Sequence, residues 1–223
     1  MLLAIDSATR KIGIALYDGA QVIHEAVWHS VNRHTVELTP AIKNALNRAG
    51  YTIADVEVIG LAIGPGSYTG LRIGVAVAKG LALARHIPLV GVSTFDILAA
   101  SQAVTPEYQL AVVLEAGRSR LAIGWYKAGE NGWEPDSDPD LLTAEEFSKK
   151  ITKPTVVCGE LDEETRKVLG RKRKNVEMVS PAQSLRRPSY LAEIAWARWQ
   201  AGEMDDPATL APFYLQTGED IPA

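Results

Sequence analysis

Cysteine is nearly absent from this chain of 223 residues, in which Cys158 is the single one. One cysteine excludes an internal disulfide and any zinc cluster built from cysteine thiolates. Such sparse use of cysteine is typical of the reducing cytosol. A long apolar run is also missing at the N-terminus, where a short run ends at Asp6 and no basic segment precedes it. Signal peptides and membrane spans need longer runs, so we expect a cytoplasmic protein without a membrane segment.

The chain also lacks an excess of positive charge, with 23 lysine and arginine residues against 27 aspartate and glutamate residues. Nucleic-acid-binding surfaces usually show a basic excess, so any contact with RNA must be local or belong to a partner. Hydrophobic residues make up 47% of the chain and charged residues 22%, a balance typical of soluble globular proteins. The length allows one large domain or two small ones.

The first hundred residues alternate between short segments rich in isoleucine, valine and leucine and longer helical patterns. Strands are predicted over residues 2–5, 12–17, 21–28, 58–63 and 89–92, and helices over 35–49, 69–85 and 94–101. Asp18-Gly19 is typical of a hairpin turn and makes the first three strands a meander. The order β-β-β-α-β-α-β-α predicts an α/β fold with a mixed sheet flanked by helices, as in the ribonuclease H and actin-like folds.

The second half is shorter and its pattern is weaker. A hairpin is predicted over residues 110–114 and 121–125, a surface loop over 129–140, a strand over 156–158 and a helix over 190–201. These elements are too few to rebuild the first half. We therefore predict two lobes, residues 1–103 and a reduced lobe of residues 104–223.

Residues 64–74 form the most informative segment, Gly-Pro-Gly-Ser-Tyr-Thr-Gly-Leu-Arg-Ile-Gly. A glycine turn between a strand and a helix can cradle phosphate on free backbone amides. A Walker loop or a dinucleotide fingerprint that starts at Gly64 needs glycine at the position of Thr69. A hydrolase elbow around Ser67 needs glycine at the position of Pro65. The spacing therefore excludes all three motifs.

Small residues recur along the helix that follows. Gly70, Gly74, Ala78 and Ala82 form one ridge, and Ala76, Gly80 and Ala84 form another. Glycine inside a helix costs roughly 1 kcal/mol relative to alanine, so another backbone is expected to come very close. That backbone belongs either to the chain's own core or to a partner, and the pattern leaves both open.

Several segments match the succession found in one bacterial family. They are residues 3–9 (Leu-Ala-Ile-Asp-Ser-Ala-Thr), 64–74, 78–82 (Ala-Lys-Gly-Leu-Ala), 91–94 (Gly-Val-Ser-Thr) and 212–216 (Pro-Phe-Tyr-Leu-Gln). On these residues the chain resembles the TsaB family. The resemblance implies an actin-like fold that has lost the equipment for ATP hydrolysis and has no cofactor.

The same resemblance implies a non-catalytic subunit that pairs with a TsaD-like catalytic subunit and works with a TsaE-like ATPase. That assembly transfers a threonylcarbamoyl group to N6 of the adenosine next to the anticodon, so this chain would meet tRNA indirectly. A homodimer is compatible with the resemblance when the chain is isolated. Helices of the first lobe are implied to form the contact. The partner-binding residues expected from it are Leu38, Ile42, Gly66, Ser67, Tyr68, Thr69, Gly70, Arg72, Ile73, Gly74, Val77, Ala78 and Leu81.

Asp6, Ser7 and Thr9 preserve in outline the first phosphate loop of actin-like ATPases, which makes them a candidate vestigial nucleotide loop. The second half offers Glu115-Ala116-Gly117-Arg118 where the family has Asp-Ala-Arg, and no adenosine-binding glycine pair follows. We therefore expect Asp6 to be a turn or capping residue rather than a magnesium anchor.

A metal site is not expected. The resemblance contrasts this chain with TsaD, which carries two histidines one helical turn apart that bind a metal. Here the residue four positions after His34 is Leu38, and the other histidines are His24, His29 and His86.

The basic run Arg166-Lys167 and Arg171-Lys172-Arg173-Lys174 is capable of contacting tRNA phosphates in a complex. Charge runs are more often solvated loops, and we favour that interpretation.

Two other classes of function compete with a scaffold subunit. A glycoprotease-like peptidase needs a nucleophile with a base, or a metal, and the sequence offers no recognisable set. An ATP-binding actin-like kinase fragment needs both phosphate loops and a longer second lobe.

Overall fold

The computed structural model of the chain describes residues 1–31, 33–117, 119–172 and 174–215. They form two compact units, the first from Met1–Ile97 and Arg186–Phe213, the second from Leu98–Leu185 with residues 214 and 215. Three residues of the features predicted above, Arg118, Arg173 and Gln216, lie outside the described residues.

A five-stranded mixed sheet forms the centre of the first unit. Its strands are β1 (Leu2–Asp6), β2 (Lys11–Tyr17), β3 (Val22–His29), β4 (Val58–Gly64) and β5 (Leu89–Ser93), in the spatial order β3-β2-β1-β4-β5. The pairs β1 with β2 and β2 with β3 are antiparallel, whereas β1 with β4 and β4 with β5 are parallel. Every residue of the central strand β1 is buried. The predicted meander and mixed α/β sheet are confirmed.

Successive side chains of a strand point to opposite faces of the sheet, so a strand buried on both faces needs cover on each side. Helices cover both faces of this sheet. Leu3 and Ile5 of β1 pack into a core that includes buried residues of α1 (His34–Arg48) and α2 (Tyr68–Arg85). Leu2 and Ala4 pack into a second core with α6 (Pro188–Gln200). Among the described residues, no helix is long and apolar enough to cross a membrane.

The position of α6 differs from the predicted division of the chain at residues 103 and 104. Leu191, Ala192 and Ala195 are fully buried against the first sheet, and Leu210 joins the core beneath α1 and α2. Residues 186–213 therefore belong to the first unit. The apolar spacing of α6 indicates a buried helical face but carries no information on which sheet that face covers.

A second mixed sheet holds the second unit together. Its strands are β6 (Gln109–Glu115), β7 (Leu121–Gly129), β8 (Gly132–Pro135), β9 (Asp140–Leu142), β10 (Thr155–Gly159) and β11 (Val176–Met178). Their order is β11-β10-β6-β7-β8, with β9 also beside β7. The chain further contains α3 (Thr94–Ala99), α4 (Ala144–Lys150) and α5 (Glu163–Leu169). Val113, Trp125 and Phe147 lie in the core of this unit.

The surface loop predicted over residues 129–140 is wrong. β7 continues to Gly129, which pairs with Gly132, so Glu130 and Asn131 form a two-residue turn into β8. β9 then returns to β7 through Asp140, whose carboxylate accepts a hydrogen bond of 2.6 Å from Trp125 Nε1. The loop was predicted from Asn131-Gly132 together with the prolines and acidic residues around it, although Asn-Gly is also a strong hairpin signal.

Cys158 provides a test of the core of the second unit. It is fully buried in β10, and burial raises the pKa of its thiol to about 12. Because the thiolate is the reactive form, the native protein is expected to resist a thiol reagent even near the ordinary thiol pKa of about 8.5. The unfolded chain should react fully. Rapid labelling of the native protein, followed by absorbance, would contradict this placement.

Candidate functional site

The glycine-rich segment lies against the loop that follows β1. The backbone amide of Ser67 donates a hydrogen bond of 2.6 Å to the carbonyl oxygen of Ala8. The hydroxyl of Ser7 donates one of 2.8 Å to the carbonyl oxygen of Gly70. Ser67 caps α2, since its hydroxyl accepts a hydrogen bond of 3.3 Å from the amide of Gly70. The start of α2 is thereby fixed to the end of β1.

Three glycines make this contact possible. A Cβ atom at Gly66 would lie closer than 3.0 Å to the carbonyl oxygen of Ala8, and one at Gly70 equally close to that of Ser7. At Gly74 it would meet the hydroxyl of Ser7 at less than 3.0 Å. Real Cβ atoms essentially never approach other atoms so closely. The backbone that the first ridge of small residues approaches therefore belongs to the chain itself.

This packing divides the predicted partner residues into a buried group and an exposed group. Gly70, Gly74 and Ala78 are buried on the inner side of α2, and Leu38 and Ile42 are buried on α1. Leu38, Ile42 and Ala78 pack in the core of the first unit, and the two glycines lie against Ser7. None of the five is exposed on the isolated chain, and a partner contact at these residues stays a prediction. Gly66 is half-buried and is fixed by Ala8 in the same way.

The outer side of α2 is exposed and largely apolar. Tyr68 is 58% exposed and Leu83 is 71% exposed, and they are the exposed large apolar side chains of this helix. The exposed residues of the outer side are Ser67, Tyr68, Thr69, Arg72, Ala76, Gly80, Leu83 and Ala84, with Ile73, Val77 and Leu81 half-buried beside them. We call these residues the outer face of α2. Seven of the thirteen predicted partner residues lie on the outer face, namely Ser67, Tyr68, Thr69, Arg72, Ile73, Val77 and Leu81.

Two details of the outer face stand out physically. The Arg72 guanidinium lies 5.0 Å from the centroid of the Tyr68 ring and donates a hydrogen bond to its hydroxyl, which holds both side chains together on the surface. A Cβ atom at Gly80 would meet nothing within 4 Å. The chain's own packing therefore gives no reason for a glycine at this interior helical position, where it costs about 1 kcal/mol.

The candidate vestigial nucleotide loop is occupied by the chain itself. Asp6 is buried and forms an ion pair with Arg186, while its Oδ1 accepts a hydrogen bond of 3.0 Å from the amide of Ala8. Thr9 Oγ1 accepts a hydrogen bond of 3.0 Å from Arg186 Nη2. The Ser7 hydroxyl already donates its hydrogen bond to the carbonyl oxygen of Gly70. Asp6 is thus a turn residue that is also paired with a buried cation.

Magnesium-bound ATP, which the fold family implies, does not fit these residues. The carboxylate that would anchor the metal is already paired with Arg186, and the Ser67 amide that would face phosphate is bonded to Ala8. Sequence reasoning missed Arg186 because it lies 180 positions from Asp6 and no local pattern marks it. The only available signal was that an acidic residue in a buried strand needs a counter-ion.

Other candidate residues have ordinary structural partners. His34 is buried with Nε2 at 3.0 Å from the carbonyl oxygen of Thr9. Arg166 Nη1 donates to the carbonyl oxygen of Val179, and Lys167 pairs with Glu163. In the described parts of the chain, no group of three or more histidine, cysteine, aspartate or glutamate side chains is arranged to hold a metal ion.

A pair of alanine substitutions separates the two sides of α2. Gly70→Ala forces a Cβ atom against a backbone carbonyl and is expected to lower the free energy of unfolding by roughly 1–3 kcal/mol. Gly80→Ala meets open space and is expected to raise it by about 0.5–1 kcal/mol, because alanine favours the helix. Urea denaturation of the two variants measures both changes. Equal changes in the free energy of unfolding for the two variants would mean that Gly70 is not packed tightly against Ser7.

Comparisons with known sequences find two kinds of similar protein, described as TsaD and TsaB. The family model described as TsaD, a tRNA N6-adenosine threonylcarbamoyltransferase, matches residues 25–153. The chain is 33% identical to the tRNA threonylcarbamoyladenosine biosynthesis protein TsaB of Bacillus subtilis, over 98% of this chain and 95% of that protein. It is 34% identical to the protein of the same description from Escherichia coli, over 65% of this chain and 63% of that one.

Solved structures agree on the fold. A Pseudomonas aeruginosa protein described as similar to the peptidase YeaZ superposes with a TM-score of 0.79 at 23% identity, covering 96% of this chain and 99% of that one. The ethanolamine utilization protein EutJ of Carboxydothermus hydrogenoformans superposes with a TM-score of 0.52 at 14% identity, over 86% and 88% of the two chains. The actin-like fold is thereby confirmed. Since the Bacillus subtilis relative matches along nearly all of both chains, this chain belongs to the TsaB family, within the wider family that the TsaD model describes.

Proposed function

We propose that the chain is a non-catalytic subunit required for transfer of a threonylcarbamoyl group to N6 of the adenosine next to the anticodon of tRNA. It acts by pairing with a TsaD-like catalytic subunit and with a TsaE-like ATPase, and it meets tRNA through that complex. The relatives from Bacillus subtilis and Escherichia coli are named for tRNA threonylcarbamoyladenosine biosynthesis. The observation that carries the proposal is the outer face of α2.

The outer face has the properties of a helix-packing surface. Exposed Tyr68 and Leu83 supply apolar area, and burial of such area stabilises a complex by about 25 cal/mol per Å² before the costs of association. Gly80 lets the backbone of a second helix approach closely, near the lower end of the usual interaxial distance of about 8–10 Å. Arg72, already held by Tyr68, loses little side-chain freedom on binding. The catalytic subunit is the partner that we assign to this face.

The local chemistry of the chain argues for a scaffold rather than an enzyme. Ser67 is the only serine of the glycine-rich segment, and its hydroxyl caps α2 instead of facing a base. Ser7 is buried and donates to Gly70. Asp6 is paired with Arg186. These contacts disfavour both the peptidase and the kinase alternatives.

A reconstitution experiment tests the proposed role. TsaC, the enzyme that makes the threonylcarbamoyl-adenylate donor, is combined with TsaD and TsaE from the same source and with tRNA, threonine, bicarbonate and ATP. The reaction is run with and without this chain, and threonylcarbamoyladenosine is measured by mass spectrometry. We expect product only when the chain is present. Undiminished product without it would contradict the role of a required subunit and favour the peptidase or kinase alternatives.

Substitutions on the outer face test the pairing. Leu83→Asp is expected to weaken binding to the TsaD-like subunit at least tenfold, about 1.4 kcal/mol, because a carboxylate is desolvated in the contact. Met204→Asp, at another exposed apolar residue of the first unit, is the matched control and should leave binding unchanged. Calorimetry measures affinity, and thermal unfolding checks that both variants fold. If both variants bind the TsaD-like subunit with equal affinity, the outer face of α2 is not the pairing surface.

The oligomeric state of the chain alone is measured on the same variants. If the outer face also forms a homodimer, Leu83→Asp should give a monomer by light scattering while Met204→Asp remains a dimer. The catalytic subunit and a second copy would then compete for one surface.

A further inference from the structure

Asp6 and Arg186 form a charge pair in the interior of the first unit. Asp6 is 1% exposed and Arg186 is 2% exposed. Arg186 Nε donates to Asp6 Oδ2, and Arg186 Nη2 lies 3.3 Å from Asp6 Oδ1. Arg186 belongs to the segment just before α6, whereas Asp6 ends β1. The pair therefore joins two distant parts of the sequence on one side of the sheet.

The same guanidinium collects further oxygen atoms. Its Nη2 lies 3.0 Å from Thr9 Oγ1 and 3.2 Å from the carbonyl oxygen of Lys11. A carboxylate, a hydroxyl and a backbone carbonyl are the oxygen ligands that hard cations prefer. We call the oxygens of Asp6, Thr9 and Lys11 the oxygen cage. In this chain the cation within it is a planar guanidinium that carries its charge at every physiological pH.

The loop that carries the oxygen cage also holds the helices of the opposite face. Its Ser7 and Ala8 contact Gly70 and Ser67 of the glycine-rich segment. Its Thr9 carbonyl oxygen lies 3.0 Å from Nε2 of His34, the first residue of α1. A change in the cage is therefore transmitted directly to the starts of α1 and α2.

We infer that Arg186 is the built-in cation of the first loop and takes the Asp6 carboxylate that a magnesium–nucleotide complex would need. The loop is closed to a magnesium–nucleotide complex because its anionic group already has a partner. Its remaining role is to position α1 and α2 on the sheet. This inference is independent of the proposed function, since it concerns the isolated chain.

Chemical rescue tests the inference. Arg186→Ala leaves the Asp6 carboxylate buried without its cation, and the melting temperature of the isolated chain is expected to fall by roughly 10 °C. Guanidinium chloride, far below denaturing concentration, should recover part of that loss, whereas sodium chloride at the same concentration should not. Magnesium-ATP should not change the melting temperature of the unchanged protein, because the loop after β1 is closed to it and a ligand that does not bind cannot stabilise the fold.

Arg187→Ala is the matched control. Arg187 is the adjacent arginine, and its half-exposed guanidinium pairs with Glu25 at 2.6 Å. The Arg187 guanidinium is half-exposed, and without it Glu25 keeps the backbone amide of Ser189 as a donor, so this variant should lose only a few degrees and gain nothing from guanidinium. An equal response of the two alanine variants to guanidinium would overturn the inference. A rise in the melting temperature of the unchanged protein with magnesium-ATP would overturn it as well.

A second pair of variants covers the case in which Arg186→Ala does not fold. Arg186→Met keeps much of the side-chain volume but removes the charge, and Asp6→Asn combined with Arg186→Met removes both charges. The double variant should give more soluble, folded protein and a higher melting temperature than Arg186→Met alone, because no buried carboxylate is left without a partner. A double variant that is no better than Arg186→Met would show that the cage does not depend on charge pairing.

Discussion

The contact between the start of α2 and the loop after β1 is the constraint on which the first unit depends. At Gly66, Gly70 and Gly74 it leaves no space for a Cβ atom, so the helix backbone lies directly on the loop. Hydrogen bonds from Ser67 to Ala8 and from Ser7 to Gly70 fix its direction. Arg186 fixes the same loop from the other side through Asp6 and Thr9. The orientation of the outer face of α2 follows from these contacts.

The two ridges of small residues on α2 therefore have different physical meanings. The inner ridge, with Gly70 and Gly74, meets atoms of the chain itself. The outer ridge contains Gly80, at which a Cβ atom would meet open space. In an isolated chain a glycine at that position only destabilises the helix, and a second helix against it would supply the compensating contact. The proposed pairing with a catalytic subunit gives Gly80 such a reason.

Hydrophobic periodicity was sufficient to predict the elements of the first unit. The meander, α1, α2 and the mixed sheet depend on local patterns, and each was found within a few residues of its predicted bounds. The same patterns could not distinguish the two sides of α2, because both ridges are small and equally spaced. They also could not assign α6 to the first sheet or link Arg186 to Asp6, since both depend on contacts between residues far apart in sequence. The β8 hairpin was missed because Pro135 and the acidic residues nearby favoured a loop.

One measurement tests most directly whether the outer face of α2 is the partner surface. Because Cys158 is buried, a cysteine introduced by Leu83→Cys would be the reactive thiol of the folded chain, and Met204→Cys supplies its counterpart away from α2. The labelling rate of each is measured with and without the TsaD-like subunit. We predict that the catalytic subunit slows labelling of the cysteine at position 83 and leaves labelling at position 204 unchanged. Unchanged labelling at position 83 in a complex that has formed would contradict it.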